Sequence, residues 1–172
     1  MIQGALDRYG VPMGFFGPVP QDFYGLVGAL TMTSAVVEDR LCNLLTIVAV
    51  APQDRFAGWS ASQVITELQK KLDTRPKSFA DDVRHLLARL QIAFEFRHEI
   101  VHSLWPKPTL GRAFGHRGVT AKKRHTQSDF SATIVTNEAE IKERITTFLE
   151  LFTQIEVYEQ RSQQTENQPI PR

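Results

Sequence analysis

From Gln21 onward the apolar residues Phe23, Leu26, Leu30, Val37, Leu41, Leu44 and Val48 recur at steps of three and four, with Ser34 in the same register, until Pro52 stops them. That spacing keeps one face of a helix apolar and predicts a single long amphipathic helix. Ser60 followed by Gln63 is a capping-box signature ahead of Val64, Ile65, Leu68 and Leu72, and Pro76 closes this second, shorter helix. A third helix is predicted from about Ser78 to Leu104, ended by Trp105-Pro106. Between residues 105 and 128 the helical stripe disappears among Pro106, Pro108, Gly111, Gly115 and Gly118. Phe130, Ala132 and Ile134 then alternate with Ser131, Thr133 and Val135, which predicts a short strand as one arm of a hairpin with Val119 to Lys123. Asn137 and Glu140 open the last helix, whose stripe of Ile141, Ile145, Phe148, Phe152 and Ile155 runs through about Arg161.

These elements make one helical domain over residues 21–161 with an insertion at 105–135. The predicted fold class is all-α, an up-and-down helical bundle with a short β-hairpin-like insertion before the last helix. Residues 1–20 read as an irregular arm, because Gly4, Gly10, Pro12, Gly14, Gly17, Pro18 and Pro20 break every regular element; Phe15 and Phe16 are expected to pack on the body. Residues 162–172, rich in Gln, Asn and Pro, read as a flexible tail.

Composition narrows the class further. A chain of 172 residues, 42% hydrophobic and 23% charged, can bury about two-thirds of its unfolded surface, and it is neither collagen-like, disordered nor disulfide-stapled. Cys42 is the sole cysteine, so no internal disulfide forms; beside Leu41 and Leu44 it reads as a small buried apolar residue in a reducing compartment. The first ten residues lack the basic and apolar regions of a secretory signal, and the longest apolar stretch, Leu26 to Val37, is interrupted by Thr31, Thr33 and Ser34. A cytoplasmic protein is expected.

The run Arg97-His98-Glu99-Ile100-Val101-His102 satisfies two motifs at once. One is H-E-x-x-H, in which His98 and His102 would hold zinc one turn apart and Glu99 would activate a water. The other is Arg-x4-His, from Arg97 to His102. A zincin needs a third ligand; the extended motif would require Gly at Trp105 and His at Pro108, and a glutamate ligand would have to be Glu138 or Glu140. On a helix projected at about 100° per residue from Phe94, Val83, Leu87, Leu90 and Val101 fall within about 40° and define the core face. Arg97 falls at about −60°, short of Leu86 and Leu104 at about −80°, where the pattern asks for a leucine. Burying a guanidinium is costly unless an anion or several acceptors meet it. Either a carboxylate of the first helix, Glu38 or Asp39, pairs with Arg97, or the side chain serves a phosphate ligand. A zinc site gives it no task. His98 and His102 project at about +40° and +80°, on the flank of the core face, where they can also simply hydrogen-bond neighbours.

The stretch from Phe94 to Trp105, late in a long helix of a helical chain, resembles the signature of HEPN domains, which carry Arg, usually a polar Asn or Asp next, and His after a short spacing. Arg97 matches the family's arginine and His102 its histidine, while His98 stands where the family usually has Asn or Asp. The resemblance implies a HEPN-like bundle over about residues 22–160 and metal-independent RNA cleavage with no cofactor. It also implies a homodimer whose two motifs face one cleft, in a bacterial defence or toxin–antitoxin setting with a cognate antitoxin or other partner protein. Neutral His102 would take the proton of a ribose 2′-hydroxyl, Arg97 would stabilise charge building on the phosphoryl oxygens, and His98 would assist by hydrogen bonding. Two alternatives stay open: a catalytically silent HEPN-like binding module, and a zinc-dependent hydrolase built on His98, Glu99 and His102. A second apolar strip, Ile92, Phe96 and Ile100, lies opposite the core face and is either the dimer contact or a surface covered by the N-terminal arm.

Net charge is only +1, yet it is unevenly spread. Residues 105–128 hold Lys107, Arg112, Arg117, Lys122, Lys123 and Arg124, with His116 and His125 and no acid. With these six of the 20 basic residues set aside, 14 face 19 acidic residues in the rest of the chain, a net of −5. A basic segment directly after the motif helix is placed to follow a polynucleotide backbone; elsewhere in a chain such a run is usually a solvated face.

Overall fold

The computed structural model describes Leu6, Gly10 and residues 21–102, 104–109, 112–118 and 131–166. The packing expected of Phe15 and Phe16, the hairpin arm Val119 to Lys123 and the last six residues of the tail lie outside these. The described elements are α1 (Gln21–Ala49), a 3₁₀ turn (Gln53–Phe56), α2 (Ala61–Leu72), α3 (Lys77–Val101), β1 (Leu104–Thr109), β2 (Arg112–Gly118), β3 (Ser131–Thr136) and α4 (Glu138–Glu166). They fall into two compact units, Thr31–Phe96 with Arg144–Arg172 and Met1–Leu30 with Arg97–Glu143.

The first unit is an all-α helical bundle. The α1 stripe is realised as predicted, with Val37, Leu41, Leu44, Leu45 and Val48 buried. Ser34, at 1% exposure, tolerates its place in that stripe because its hydroxyl donates to the carbonyl of Thr31 at 2.9 Å. At the end of α1, the N–H of Ala51 donates to Thr46 and that of Val50 to Ile47, with Val50 at φ +49°. This is a Schellman C-cap, and a valine occupies its left-handed position. Arg75 adds a second cap, donating to the carbonyl of Val48 at 2.6 Å.

Helix α2 begins where the capping box predicts. The Ser60 N–H donates to Gln63 Oε1 at 2.9 Å, and the Ala61 N–H donates to the carboxylate of Glu38 on α1. Since its start meets Glu38 and the turn after its end meets Ile47 and Val48, α2 runs alongside α1 in the same general direction. Val64, Ile65, Leu68 and Leu72 face inward.

Helices α3 and α4 run antiparallel. Phe94 meets Phe148 edge-on at 5.2 Å, Arg89 reaches Glu150 and Gln154, Arg161 pairs with Asp82, and Phe79 meets Tyr158 at 6.1 Å. Fully burying a side chain such as Phe148 stabilises by roughly 1.5–3 kcal/mol, which exceeds what the exposed ion pairs along the same seam contribute. The seam extends further than predicted: α4 continues past Arg161 to Glu166, and Glu159 and Ser162 are 8% and 2% exposed.

The second unit holds a three-stranded antiparallel sheet in the order β1-β2-β3 in place of the expected single hairpin. The strand expected at 130–135 is found at 131–136, but its partner is β2, with Phe114 opposite Val135 and Arg117 opposite Ala132. Helix α3 accordingly ends at Val101 rather than Leu104, because Leu104 already pairs with His116. Pro106 and Pro108 do not exclude a strand here: β1 is an edge, where a missing N–H costs little, and its register shifts between Leu104 and Lys107. The start of α4 is as predicted, with Asn137 Oδ1 accepting from the Glu140 N–H at 2.9 Å.

Candidate functional site

The last turns of α3 carry Arg97 and His98, His102 is the first residue beyond the helix, and in the same unit the chain continues into the sheet. The buried face of α3 is made by Val83, Leu86, Leu87, Leu90 and Ala93 and finishes on Ile100, at 0% exposure. Phe94 and Val101, expected at its centre, are only half-buried. Arg97 lies four residues after Ala93 and three before Ile100, both 1% exposed or less, so its position is a core position. Its side chain is half-buried. Among the described residues the guanidinium makes no ion pair, hydrogen bond or ring contact. Glu38, one of the two carboxylates expected to pair with Arg97, accepts from the Ala61 N–H at the start of α2, and Asp39 is exposed.

His98 and His102 are both exposed and are brought together, their ring centroids 4.5 Å apart and the planes tilted by 55°. The His102 N–H still donates to the His98 carbonyl at 3.1 Å, so the helical spacing persists through the first residue beyond α3. Glu99 is exposed as well. No group of three or more His, Cys, Asp or Glu side chains among the described residues is arranged to hold a metal, and so a third ligand for a zincin is not found there.

The apolar strip expected opposite the core is divided. Ile100 belongs to the core, Ile92 is 60% exposed, and Phe96 is half-buried with the Arg144 guanidinium 5.0 Å over its ring. The reason is a drift of the buried face: toward its C-terminal end α3 is covered on the side of Ala93 and Ile100, away from Phe94 and Val101. Arg144 is the residue missed in the sequence. It sits three positions after the buried Ile141, a flank position of the α4 stripe, and its Nε is buried without a hydrogen-bond partner.

No family model, curated protein or solved structure matches the chain. Of the six basic residues of the insertion, Lys107 lies in β1 and Arg112 and Arg117 in β2, whereas Lys122, Lys123 and Arg124 lie outside the described residues. The register Lys107↔Phe114 and Thr109↔Arg112 puts positions 107, 112 and 116 on one face of the sheet and position 117 on the other. Cys42, half-buried rather than fully enclosed, is no candidate nucleophile, since burial pushes its thiol up and Glu38 and Asp39 add to the shift. No helix among the described residues is long and apolar enough to cross a membrane.

Proposed function

We propose that the protein is a HEPN-like, RNA-associated protein that cleaves RNA without a metal. Arg97 carries this reading: a half-buried guanidinium at a core position of α3, with no counter-ion among the described residues, five residues before an exposed histidine. An arginine kept in such a place is suited to an anion that arrives from outside, and its planar fork matches two phosphoryl oxygens. His102 removes the 2′-hydroxyl proton as that oxygen attacks phosphorus. The P–O5′ bond breaks, the 5′ oxygen takes up a proton, and a 2′,3′-cyclic phosphate remains. Arg97 stabilises the charge on the non-bridging oxygens in the transition state. His98, on the same exposed flank as His102, is placed to hydrogen-bond it or the substrate. Lys107 of β1 and Arg112 of β2, at positions on one face of the sheet, supply contacts for the polynucleotide backbone. A homodimer, and a defence or toxin–antitoxin role with a protein partner, belong to this reading through the resemblance alone.

The test is incubation of the purified protein with mixed RNA in the presence of EDTA, wild type beside Arg97→Ala and His102→Ala. Expected are cyclic-phosphate ends in the wild type and loss of at least about 100-fold in rate in each variant, the usual contribution of a general base or a transition-state charge partner. Cleavage that survives both substitutions, or that requires zinc and Glu99, would overturn it.

A further inference from the structure

We propose that His98 and His102 form a chelating site for a late first-row divalent ion such as Zn²⁺, and that occupation of this site switches the protein off. Three observations carry the inference. The two imidazoles are one helical turn apart, both are exposed, and their ring centroids are 4.5 Å apart. An ion held about 2.0–2.1 Å from one nitrogen of each ring, with an N–metal–N angle of about 90–110°, requires centroids about 4.5–5.2 Å apart. The observed spacing lies at the edge of that range, so chelation needs little more than side-chain rotation on a helix that is already formed. Imidazole favours Zn²⁺, Ni²⁺ and Cu²⁺ over the oxygen-seeking Mg²⁺ and Ca²⁺, which fixes the class of ion.

Such a site differs from a catalytic zinc centre. With two protein ligands and water completing the shell, the ion is exchangeable, and Glu99 takes no part in holding it. Its effect follows from which lone pairs it occupies. A metallated His102 has no nitrogen free to accept the 2′-hydroxyl proton, so binding is inhibitory; this half of the inference rests on the endoribonuclease reading given above.

Isothermal titration of the full chain with Zn²⁺ tests the site independently of any activity. Expected is one ion per chain in the micromolar range, weakened about tenfold or more in His98→Ala and in His102→Ala because either loss leaves a single imidazole, and unchanged in Glu99→Gln and His85→Ala. No binding by the wild type, unchanged affinity in both His98→Ala and His102→Ala, or a loss in Glu99→Gln overturns the two-histidine site. Added Zn²⁺ should suppress RNA cleavage by the wild type and EDTA should restore it; cleavage unaffected by saturating Zn²⁺ overturns the inhibitory role. A chain that binds Zn²⁺ through both histidines yet cleaves no RNA in EDTA leaves the chelate standing and removes the ribonuclease reading.

Discussion

Arg97 and Glu159 are charged residues in places that helical periodicity reserves for apolar ones, and the two behave differently. Replacing Arg97 with Leu removes a half-buried charge from between turns anchored by Ala93 and Ile100. The expected result is a higher melting temperature, by about 2–4 °C for each kcal/mol recovered in a chain of this size, together with loss of RNA cleavage. A lower melting temperature would mean that Arg97 serves the fold. Glu159 is held above the usual carboxylate range, chiefly by burial and also by Glu156, against the opposing pull of Arg40 at 3.6 Å. A folded carboxyl that grips its proton more tightly than the unfolded one stabilises below the ordinary glutamate range, and that contribution is lost as pH rises through the raised value. Glu159→Gln should therefore melt above the wild type at pH 8, with the two converging near pH 4; parallel curves across that range would refute the assignment. Arg97 was visible in the sequence because apolar residues surround it on neighbouring turns. The burial of Glu159 and Ser162 was not, because a glutamate and a serine continuing the Phe148, Ile155 stripe of α4 carry no apolar signal.

At the scale of elements, capping chemistry set the boundaries that could be read. Ser60 with Gln63 and Asn137 with Glu140 open α2 and α4 where their spacing predicts, because these contacts are local and independent of the rest of the fold. The end of α1 shows a cap working with the wrong residue. Val50 sits at φ +49°, 76% exposed, so its side chain contributes little packing to offset the strain of a β-branched residue in the left-handed region. Val50→Gly should raise stability by about 1 kcal/mol in a urea titration, the left-handed penalty less the extra chain entropy of glycine; a loss of stability would show that the valine packs in a way its exposure does not reveal. The insertion departs from its expected form for another reason: β3 pairs with β2 across 13 to 23 residues, and glycines and prolines that break a helix are tolerated in an edge strand and its neighbour.

For the whole molecule, the uneven charge has a measurable consequence. If RNA follows the basic face of the sheet, affinity should fall steeply with salt, and replacing Lys107 and Arg112 with Gln should flatten the slope of log K against log salt by about 1.4, at roughly 0.7 per neutralised single-strand phosphate contact, whereas Arg117→Gln on the other face should leave it unchanged. An unchanged slope in the Lys107 and Arg112 variant would assign the phosphate contacts elsewhere. The helical class, the apolar faces of α1, α2 and α4, two helix starts and the oddity of Arg97 are legible in the linear chain, because each depends on residues within a turn or two of one another. That Ile100 belongs to the core, that Glu159 and Ser162 are buried along α4, and that the residues after α3 pair as three strands emerged only in the folded chain. Those outcomes depend on which distant segment arrives to cover a helix face or pair with a strand, and local spacing carries no record of that.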